Sequence, residues 1–276
     1  MNGKEGAMTS FKSFFYAKNL NDVFYQLKNI SNLSIVAGCT SFVFKDFPEK
    51  SLSVRDIAEL RLIDKHERYI DLGAALTLSE IEDLGEGNLP RHFYEAIPTI
   101  ANRNIRNIAT IGGNICAEDF YNTLYAPLLA LDARLEFNDG ENEQFMNITR
   151  FSRIPPGCIL SKIRLPLEEW ELSVFRRVGN SNFLSDLSAS FVFLANSQKN
   201  QISELRIAFA GAFKFRDMEL ENKLIGAHLP LSDTAISNFL LDAEEAFDKA
   251  TQKDKVAPIL KKQFWNLVKY SLEQLT

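Results

Sequence analysis

Hydrophobic residues recur at helical spacing near the start of the chain and again in its last quarter. The first stripe predicts a helix over residues 20–30 and consists of Val23, Phe24, Leu27 and Ile30. Two further stripes predict two helices near the C-terminal end. One consists of Ile236, Phe239, Leu240, Ala243 and Phe247, and the other of Leu260, Phe264, Leu267, Val268 and Leu275.

Between these helices the chain has short apolar runs of the kind that form β-strands. They lie at residues 34–37, 69–74, 133–137, 159–165, 172–178, 191–195 and 205–213. Short helices are predicted from Thr77, where Glu80 completes a capping box, at 90–101 around Pro98, and at 124–131. Because strands and helices mix without strict alternation, the pattern favours an α+β fold over a doubly wound parallel sheet.

Two polar stretches interrupt this pattern. Residues 138–147 are typical of a hairpin turn rather than a linker. Near residues 166–171 a strand ends at a proline and an acidic turn follows, which predicts a boundary between two domains.

The composition excludes several kinds of function. The 276 residues are 46% hydrophobic and include 22 Phe, which indicates a well-buried core. With 31 Lys and Arg against 36 Asp and Glu, the net charge is −5, and such a chain has no basic surface for nucleic acid. No apolar run approaches the roughly 20 residues of a membrane helix, so we expect no membrane partner. The polar residues 1–7 predict no signal peptide.

The cysteines and histidines do not form a recognisable metal site. Cys39, Cys116 and Cys158 are isolated, which argues against a zinc site, a disulfide or an iron–sulfur cluster held by this chain alone. An odd number of unpaired cysteines is typical of a reducing compartment, so the predicted location is the cytoplasm. The histidines also lack partners at metal-ligand spacing; they are His66, His92 and His228.

Two glycine-containing segments have chemistry suited to an anion. In Ala37-Gly38-Cys39-Thr40-Ser41 a strand ends at a glycine, and the following N–H groups and hydroxyls can turn toward a phosphate. In Thr110-Ile111-Gly112-Gly113-Asn114 the paired glycines allow positive φ and close approach of the backbone to a ligand. Each segment alone is more typical of a glycine turn between buried strands. Neither contains GxGxxG or the P-loop lysine.

Together with four further stretches in the same order and spacing, these segments carry a resemblance. The matching stretches are VAGCTS (36–41), IRNIATIGGNI (105–115), LLALDA (128–133), FRRVG (175–179), and RIAFAG (206–211) followed by ENKLIG (221–226). The chain resembles the flavin-binding subunit of molybdenum hydroxylases, the medium subunit of enzymes of the xanthine dehydrogenase and carbon monoxide dehydrogenase type. The TIGGN segment is the most specific element.

The resemblance implies a fold and a cofactor. The fold is a two-subdomain FAD-binding domain of the PCMH/vanillyl-alcohol-oxidase type over 8–168, divided near 60–68, followed by a smaller C-terminal α+β domain over 169–276. By the same resemblance, the segment from Ala37 to Phe42 and the segment from Thr110 to Asn114 grip the FAD pyrophosphate.

Four residues outside these segments are implied at the flavin end of the site. The backbone of Leu160 contacts the ring, and Arg177 stands where the family usually has a lysine near the isoalloxazine. A cation there favours negative charge on the flavin. Asp119 is either a contact to the ribityl chain or a turn residue. Thr123 stands where the family commonly has an aspartate and keeps only a hydroxyl.

Two positions within the first segment also differ from the family pattern. Cys39 replaces the usual second glycine, where a positive φ is harder for a side chain to adopt. Ser41 replaces the usual aspartate and retains a donor without a charge.

The implied function is electron transfer in a multi-subunit complex. A molybdopterin-binding large subunit and a 2Fe–2S small subunit are the expected partners, and FAD collects the electrons and passes them to NAD or another acceptor. No residue of this chain needs to act as a nucleophile or general base, because the flavin supplies the chemistry. The alternative is a diverged subunit with this fold that has an assembly role and binds FAD weakly or not at all.

Overall fold

The strands of the computed structural model form three sheets, each with its own helices. The structure describes residues 12–44, 46–117, 122–180, 185–254 and 256–275. Helices and strands mix along the chain, which confirms the predicted α+β class.

The first sheet is small and parallel. It contains β1 (Ser13–Tyr16), β2 (Ser34–Val36) and β3 (Lys50–Ser53) in the order β1-β3-β2. Between β1 and β2 lies α1 (Leu20–Asn29), which starts where the Asn19 side chain accepts a hydrogen bond from the Asp22 N–H. Val23 and Phe24 of its apolar stripe lie in one buried cluster with Leu52 of β3. The predicted helix and second strand are therefore confirmed.

The second sheet is antiparallel and has five strands in the order β4-β5-β8-β6-β7. Its strands are β4 (Ile63–Lys65), β5 (Tyr69–Gly73), β6 (Arg134–Asn138), β7 (Glu143–Asn147) and β8 (Ile159–Pro166). Five short helices lie between β5 and β6: α2 (Leu78–Glu82), α3 (Arg91–Ala96), α4 (Arg103–Arg106), α5 (Ile111–Ile115) and α6 (Tyr125–Ala130). Both bonds of the capping box predicted at the start of α2 are present.

The third sheet is antiparallel with the order β12-β11-β10-β9. Its strands are β9 (Leu172–Val178), β10 (Ala189–Gln198), β11 (Gln201–Ala210) and β12 (Lys214–Phe215), and its helices are α7 (Met218–Asn222), α8 (Asp233–Ala250) and α9 (Pro258–Leu272). Buried phenylalanine rings from the sheet and from both long helices pack together here; among them are Phe191, Phe209, Phe213, Phe215, Phe247 and Phe264. This cluster accounts for part of the high phenylalanine content.

Several elements differ from the sequence-based expectation. β1 and β3 were not predicted, because Lys50–Ser53 alternates serine with one leucine and resembles a loop. The stretch 138–147 does form a hairpin, but its second half is β7. The helix expected over 90–101 ends at Ala96 and continues as a 3-10 turn, Ile97–Thr99, with Pro98 inside it. The division into domains at 168 stays a prediction.

Candidate functional site

The segment after β2 is an open loop with unused backbone donors. Among the described residues, the N–H groups of Gly38, Cys39, Thr40 and Ser41 have no hydrogen-bond acceptor. Cys39 has φ 56°, in the left-handed region that was expected for this position. Successive N–H groups around such a turn form a concavity that binds anions. The sequence-based reading of this loop as a phosphate-binding element stays a prediction, and these free donors support it.

Gly38 is required by packing rather than by its own φ angle. A Cβ at this position would lie 1.8 Å from the carbonyl oxygen of Ile108. Ile108 belongs to the turn that leads into the second glycine segment. The close approach therefore brings the two segments together, although 70 residues separate Gly38 from Ile108.

The second segment is a helix, not a loop. Thr110 is the N-cap of α5, and its Oγ1 accepts a hydrogen bond from the Gly113 N–H at 3.1 Å. Gly112 and Gly113 both lie within the helix, and neither adopts the positive φ that glycine allows. Gly112 is required because a Cβ there would lie 2.7 Å from the carbonyl oxygen of Ala74.

The first turn of α5 has no spare backbone donors. The Ile111 N–H donates to the Leu76 carbonyl at 3.0 Å, and the Gly112 N–H donates to the Ala74 carbonyl at 2.9 Å. The Asn114 N–H donates to the Thr110 carbonyl. These bonds hold α5 against the segment that follows β5, so its N-terminus is used for folding.

Asn114 is the residue of this segment with unused polar capacity. Its side-chain Oδ1 is buried and has no hydrogen-bond partner in the part of the chain that the structure describes. Its main-chain carbonyl accepts a hydrogen bond from the Asn122 Nδ2 at 2.9 Å. Asn122 was missed by the sequence analysis, since a single asparagine beside a turn carries no pattern.

Thr123, the residue after Asn122, contacts Arg177. Arg177 Nε lies 3.4 Å from Thr123 Oγ1, to which it donates, and Nη1 donates to the Asn180 carbonyl at 2.6 Å. No carboxylate of the described residues lies within 4.0 Å of this guanidinium. Burial lowers the pKa of Arg177, but an arginine keeps its charge. Among the described residues, Arg177 is thus a half-buried cation that has hydrogen bonds but no carboxylate partner.

The remaining predicted site residues lie at different places. Leu160 is buried on β8, the strand that contacts α5. Phe42 lies at the end of the open loop, where its ring packs on Phe47 with centroids 4.9 Å apart. Asp119 falls outside the described residues. Hydrogen bonds therefore join Asn114 to Asn122 and Thr123 to Arg177, and the loop 37–42 lies against Ile108 in the turn before α5. Leu160 lies opposite Phe137 of β6, and its backbone contact with the flavin stays a prediction.

The thiols near the site are not activated. Cys116 follows α5 directly, and burial raises its pKa to about 12. Burial also raises the pKa of Cys39, while the positive charge of Arg55 opposes the rise. Burial lowers the pKa of His92 to about 3, so its imidazole is neutral. None of these three side chains has the ionisation of an activated nucleophile or acid at neutral pH.

Within the described ranges, no group of three or more His, Cys, Asp or Glu side chains could hold a metal ion. Over the same ranges, none of the helices combines the length and the apolar character that crossing a bilayer requires.

Residues 9–168 match the protein family described as the FAD binding domain in molybdopterin dehydrogenase. The match covers more than half of the chain. The chain belongs to this family. The resemblance drawn from the TIGGN segment is thereby confirmed, and the cofactor of the family is FAD.

Individual relatives agree with this assignment. The chain is 24% identical over 266 residues to abscisic-aldehyde oxidase of Arabidopsis thaliana, covering 84% of this chain but 20% of the oxidase. It is 25% identical over 193 residues to the glyceraldehyde dehydrogenase medium chain of Sulfolobus acidocaldarius, covering 66% of this chain and 68% of that one. The chain therefore spans about a fifth of the plant oxidase and about two thirds of the medium chain.

A solved structure shares the fold over nearly the whole length. A chain of the carbon monoxide dehydrogenase from Hydrogenophaga pseudoflava superposes with a TM-score of 0.80 at 17% identity. The superposition covers 96% of this chain and 95% of that one. The fold that the two chains share thus includes both the FAD-binding domain and the C-terminal sheet with its helices.

The described residues fit an FAD molecule on three independent observations. The four free N–H groups after β2 suit a pyrophosphate. The buried Asn114 Oδ1 offers an acceptor, and Arg177 offers a cation. Among the described residues, the four N–H groups and the Asn114 Oδ1 have no hydrogen-bond partner, and Arg177 has hydrogen bonds but no carboxylate partner.

Proposed function

We propose that this chain is the electron-transfer subunit of a molybdenum hydroxylase-like complex and that its FAD collects electrons from iron–sulfur clusters of a partner subunit. NAD or another soluble acceptor receives them. The observation that carries the proposal is the row of four N–H groups in the loop after β2 that have no acceptor in the described part of the chain, within a domain of the FAD-binding family.

The loop after β2 would hold the pyrophosphate. The N–H groups of Gly38, Cys39, Thr40 and Ser41 supply donors whose geometry is already set by the left-handed Cys39. Arg55 is near enough to affect the thiol of Cys39 and adds positive potential beside the loop. These donors and the Arg55 charge would hold a phosphate group through charge-assisted hydrogen bonds.

The residues Asn114, Thr123 and Arg177 would hold the flavin. FAD supplies the redox chemistry, because it accepts electrons singly and releases two. Asn114 and Thr123 can hydrogen-bond polar atoms that approach them, since each is partly or fully buried beside the cation. The charge of Arg177 stabilises negative charge on a group in contact with it, and partial burial strengthens this effect.

The clusters and the molybdenum belong to partners in this proposal. The three cysteines are all free thiols, fewer than the four thiolates that a cluster normally needs. We therefore expect a molybdopterin-binding large subunit and a 2Fe–2S small subunit as partners. Free cysteines are also typical of a reducing compartment, and we expect the complex in the cytoplasm.

Binding of FAD to the full chain is the first test. We expect the purified protein to be yellow and FAD to raise its Tm, because a ligand at 100 times its Kd adds about 2.7 kcal/mol to the stability of the folded state. A colourless protein whose Tm does not move with saturating FAD would contradict the proposal.

Anaerobic mixing with NADH tests the acceptor. If NAD is the acceptor, NADH should bleach the absorbance of the bound flavin in the reverse direction, and NADPH serves as the matched control. Absence of bleaching by NADH, with rapid bleaching by dithionite, would point to a different acceptor.

A second candidate function is an assembly subunit that binds FAD weakly. Two observations favour it: Cys39 holds a positive φ where glycine is unstrained, and Ser41 supplies no charge. This candidate predicts stable association with a molybdenum subunit without bound flavin, which the same titration distinguishes from the first.

A further inference from the structure

We propose that Arg206 and Arg216 are positioning residues for the flavin end of the FAD site and that they act through helix α6. Arg206 lies on β11 and Arg216 directly follows β12, and neither is among the residues of the site itself. The inference rests on the proposed function, which places the flavin at Asn114, Thr123 and Arg177.

The two arginines hold the C-terminal end of α6. Arg206 Nη1 donates to the Ala130 carbonyl at 3.0 Å, and Arg216 Nη1 donates to the Leu129 carbonyl at 2.5 Å. The last carbonyls of a helix have no partner within the helix and carry partial negative charge. Two guanidinium groups therefore satisfy this end with charge-assisted bonds.

Asp132, in the turn after α6, is held by the same pair. Its Oδ1 lies 2.7 Å from Arg216 Nη1, and its Oδ2 lies 3.7 Å from Arg206 Nη1. The residue has φ 53°, in the left-handed region. The turn is thus fixed in an unusual backbone conformation by side chains from a different sheet.

Both arginines are themselves anchored by residues next to the third sheet, Glu221 on α7 and Trp170 before β9. The Arg216 side chain is only 6% exposed, and its Nε lies 3.1 Å from Glu221 Oε1. The same oxygen of Glu221 accepts a hydrogen bond from the Ile207 N–H at 2.8 Å. The guanidinium of Arg206 lies over the ring of Trp170, 4.7 Å from its centroid.

The opposite end of α6 carries contacts of the proposed flavin site. Asn122 and Thr123 lie just before the helix, where they meet the Asn114 carbonyl and the Arg177 guanidinium. The N-cap residue, Leu124, has no side-chain hydrogen bond to hold this end. The six residues of the helix are all buried in close packing, so we expect a displacement at one end of the helix to reach the other end.

Loosening the C-terminal end of α6 should therefore displace the Thr123 hydroxyl from Arg177. The loop after β2 shares no hydrogen bond with α6 within the described ranges and should bind its phosphates as before. FAD, which spans both places, should lose affinity, whereas ADP, which lacks the flavin, should not.

The test compares FAD and ADP binding by the full chain. Arg206→Gln should weaken FAD about tenfold, since a charge-assisted bond is lost, and should change the Kd for ADP less than about twofold. Arg206→Lys restores the charge and one donor, and should recover much of the FAD affinity. Lys261→Gln is the matched control, because it breaks two ion pairs elsewhere in the same C-terminal region.

A second variant guards against simple destabilisation. Arg216→Gln combined with Glu221→Gln removes both charges of the buried pair, so no unpaired charge is left at Glu221, and Asp132 keeps Arg206 Nη1 at 3.7 Å. We expect it to weaken FAD and to alter the visible circular dichroism of the bound flavin, as Arg206→Gln does. Equal losses for FAD and ADP, or FAD affinity unchanged in both variants, would overturn the inference. Wild-type protein that binds neither ligand would instead overturn the proposed function on which it rests.

Discussion

The two glycine segments of the FAD-binding domain have similar composition and opposite hydrogen-bonding states. After β2, four consecutive N–H groups lack a partner among the described residues. In the first turn of α5, the N–H groups are bonded to carbonyls of the chain or to the cap residue. In both segments a glycine is required by a neighbouring carbonyl, of Ile108 or of Ala74. Glycine therefore marks close packing here, and the free donors support the proposal that the first segment binds the phosphates.

The largest expected effect is the loss of stability when a Cβ is added at Gly38 or Gly112. The loss should be larger at Gly38, where less space is available. Gly38→Ala places a Cβ 1.8 Å from a backbone oxygen, and we expect a loss of at least about 3 kcal/mol in unfolding free energy. Gly112→Ala, with 2.7 Å to a backbone oxygen, should lose about 1–3 kcal/mol. Urea titration measures both.

Gly87→Ala is the control for these substitutions. No heavy atom lies within 4 Å of the added Cβ, so the stability should stay within about 0.5 kcal/mol of wild type. The folded Gly112→Ala protein should still bind FAD, because its N–H groups already have partners. If it were folded and failed to bind FAD, the contrast between the segments would be wrong.

Removing the cap of α5 tests whether that helix end is purely structural. Thr110→Val cannot accept the bond from Gly113, and we expect a loss of about 1–2 kcal/mol in unfolding free energy. The Kd for FAD, measured by flavin fluorescence, should change little. Thr110→Ser keeps the acceptor and serves as the control. A large loss of FAD affinity with unchanged stability would show that Thr110 contacts the ligand instead.

The thiol after α5 should make stability depend on alkaline pH. The pKa of Cys116 is raised from 9.0 to about 12 in the folded protein, so the folded state favours the neutral thiol. Its contribution is complete below pH 9 and is lost as the pH rises from 9 toward 12. At one pH unit above the unfolded pKa, the loss is about 1.4 kcal/mol.

Urea titrations at pH 8 and pH 10 measure this loss. Cys116→Ala should show a smaller drop between the two pH values than wild type, because its side chain does not ionise. Cys158→Ala should keep most of the drop, since Cys116 is still present. Equal drops in wild type and Cys116→Ala would mean that other groups cause the alkaline sensitivity.

The smallest expected effect concerns the left-handed residue of the open loop. Cys39→Gly should relieve the positive φ and gain up to about 1 kcal/mol in unfolding free energy, while leaving the N–H donors in place. FAD affinity should be kept or improved. Cys39→Ala keeps the strain and should match wild type. Loss of FAD binding in Cys39→Gly alone would indicate that the thiol, and not the backbone, contacts the cofactor.

Much of this architecture follows from local patterns. The stripes around Phe239 and Phe264 and the capping box at Thr77 set their helices through neighbours a few residues away, which a sequence displays. β3 escaped because Ser51 and Ser53 are buried despite being polar. Their burial depends on the parallel partners β1 and β2, which are remote along the chain.

The candidate site divides in the same way. The loop at Gly38 could be singled out because a strand, a glycine and hydroxyl residues follow one another. The helical state of α5 could not, because its N–H groups are matched by Ala74 and Leu76, which lie far earlier in the sequence. The bond between Asn122 and Asn114 likewise depends on how two turns meet in space.

The contact between Gly38 and Ile108 has a consequence for how the protein opens. The first sheet is short, and the loop after β2 contacts the rest of the domain at Ile108, in the turn before α5. An FAD molecule held both by that loop and by the residues around Arg177 would act as a non-covalent cross-link between the first sheet and the rest of the protein. Hydrogen exchange in residues 34–54 should then slow far more on adding FAD than exchange in the phenylalanine-rich core of the third sheet.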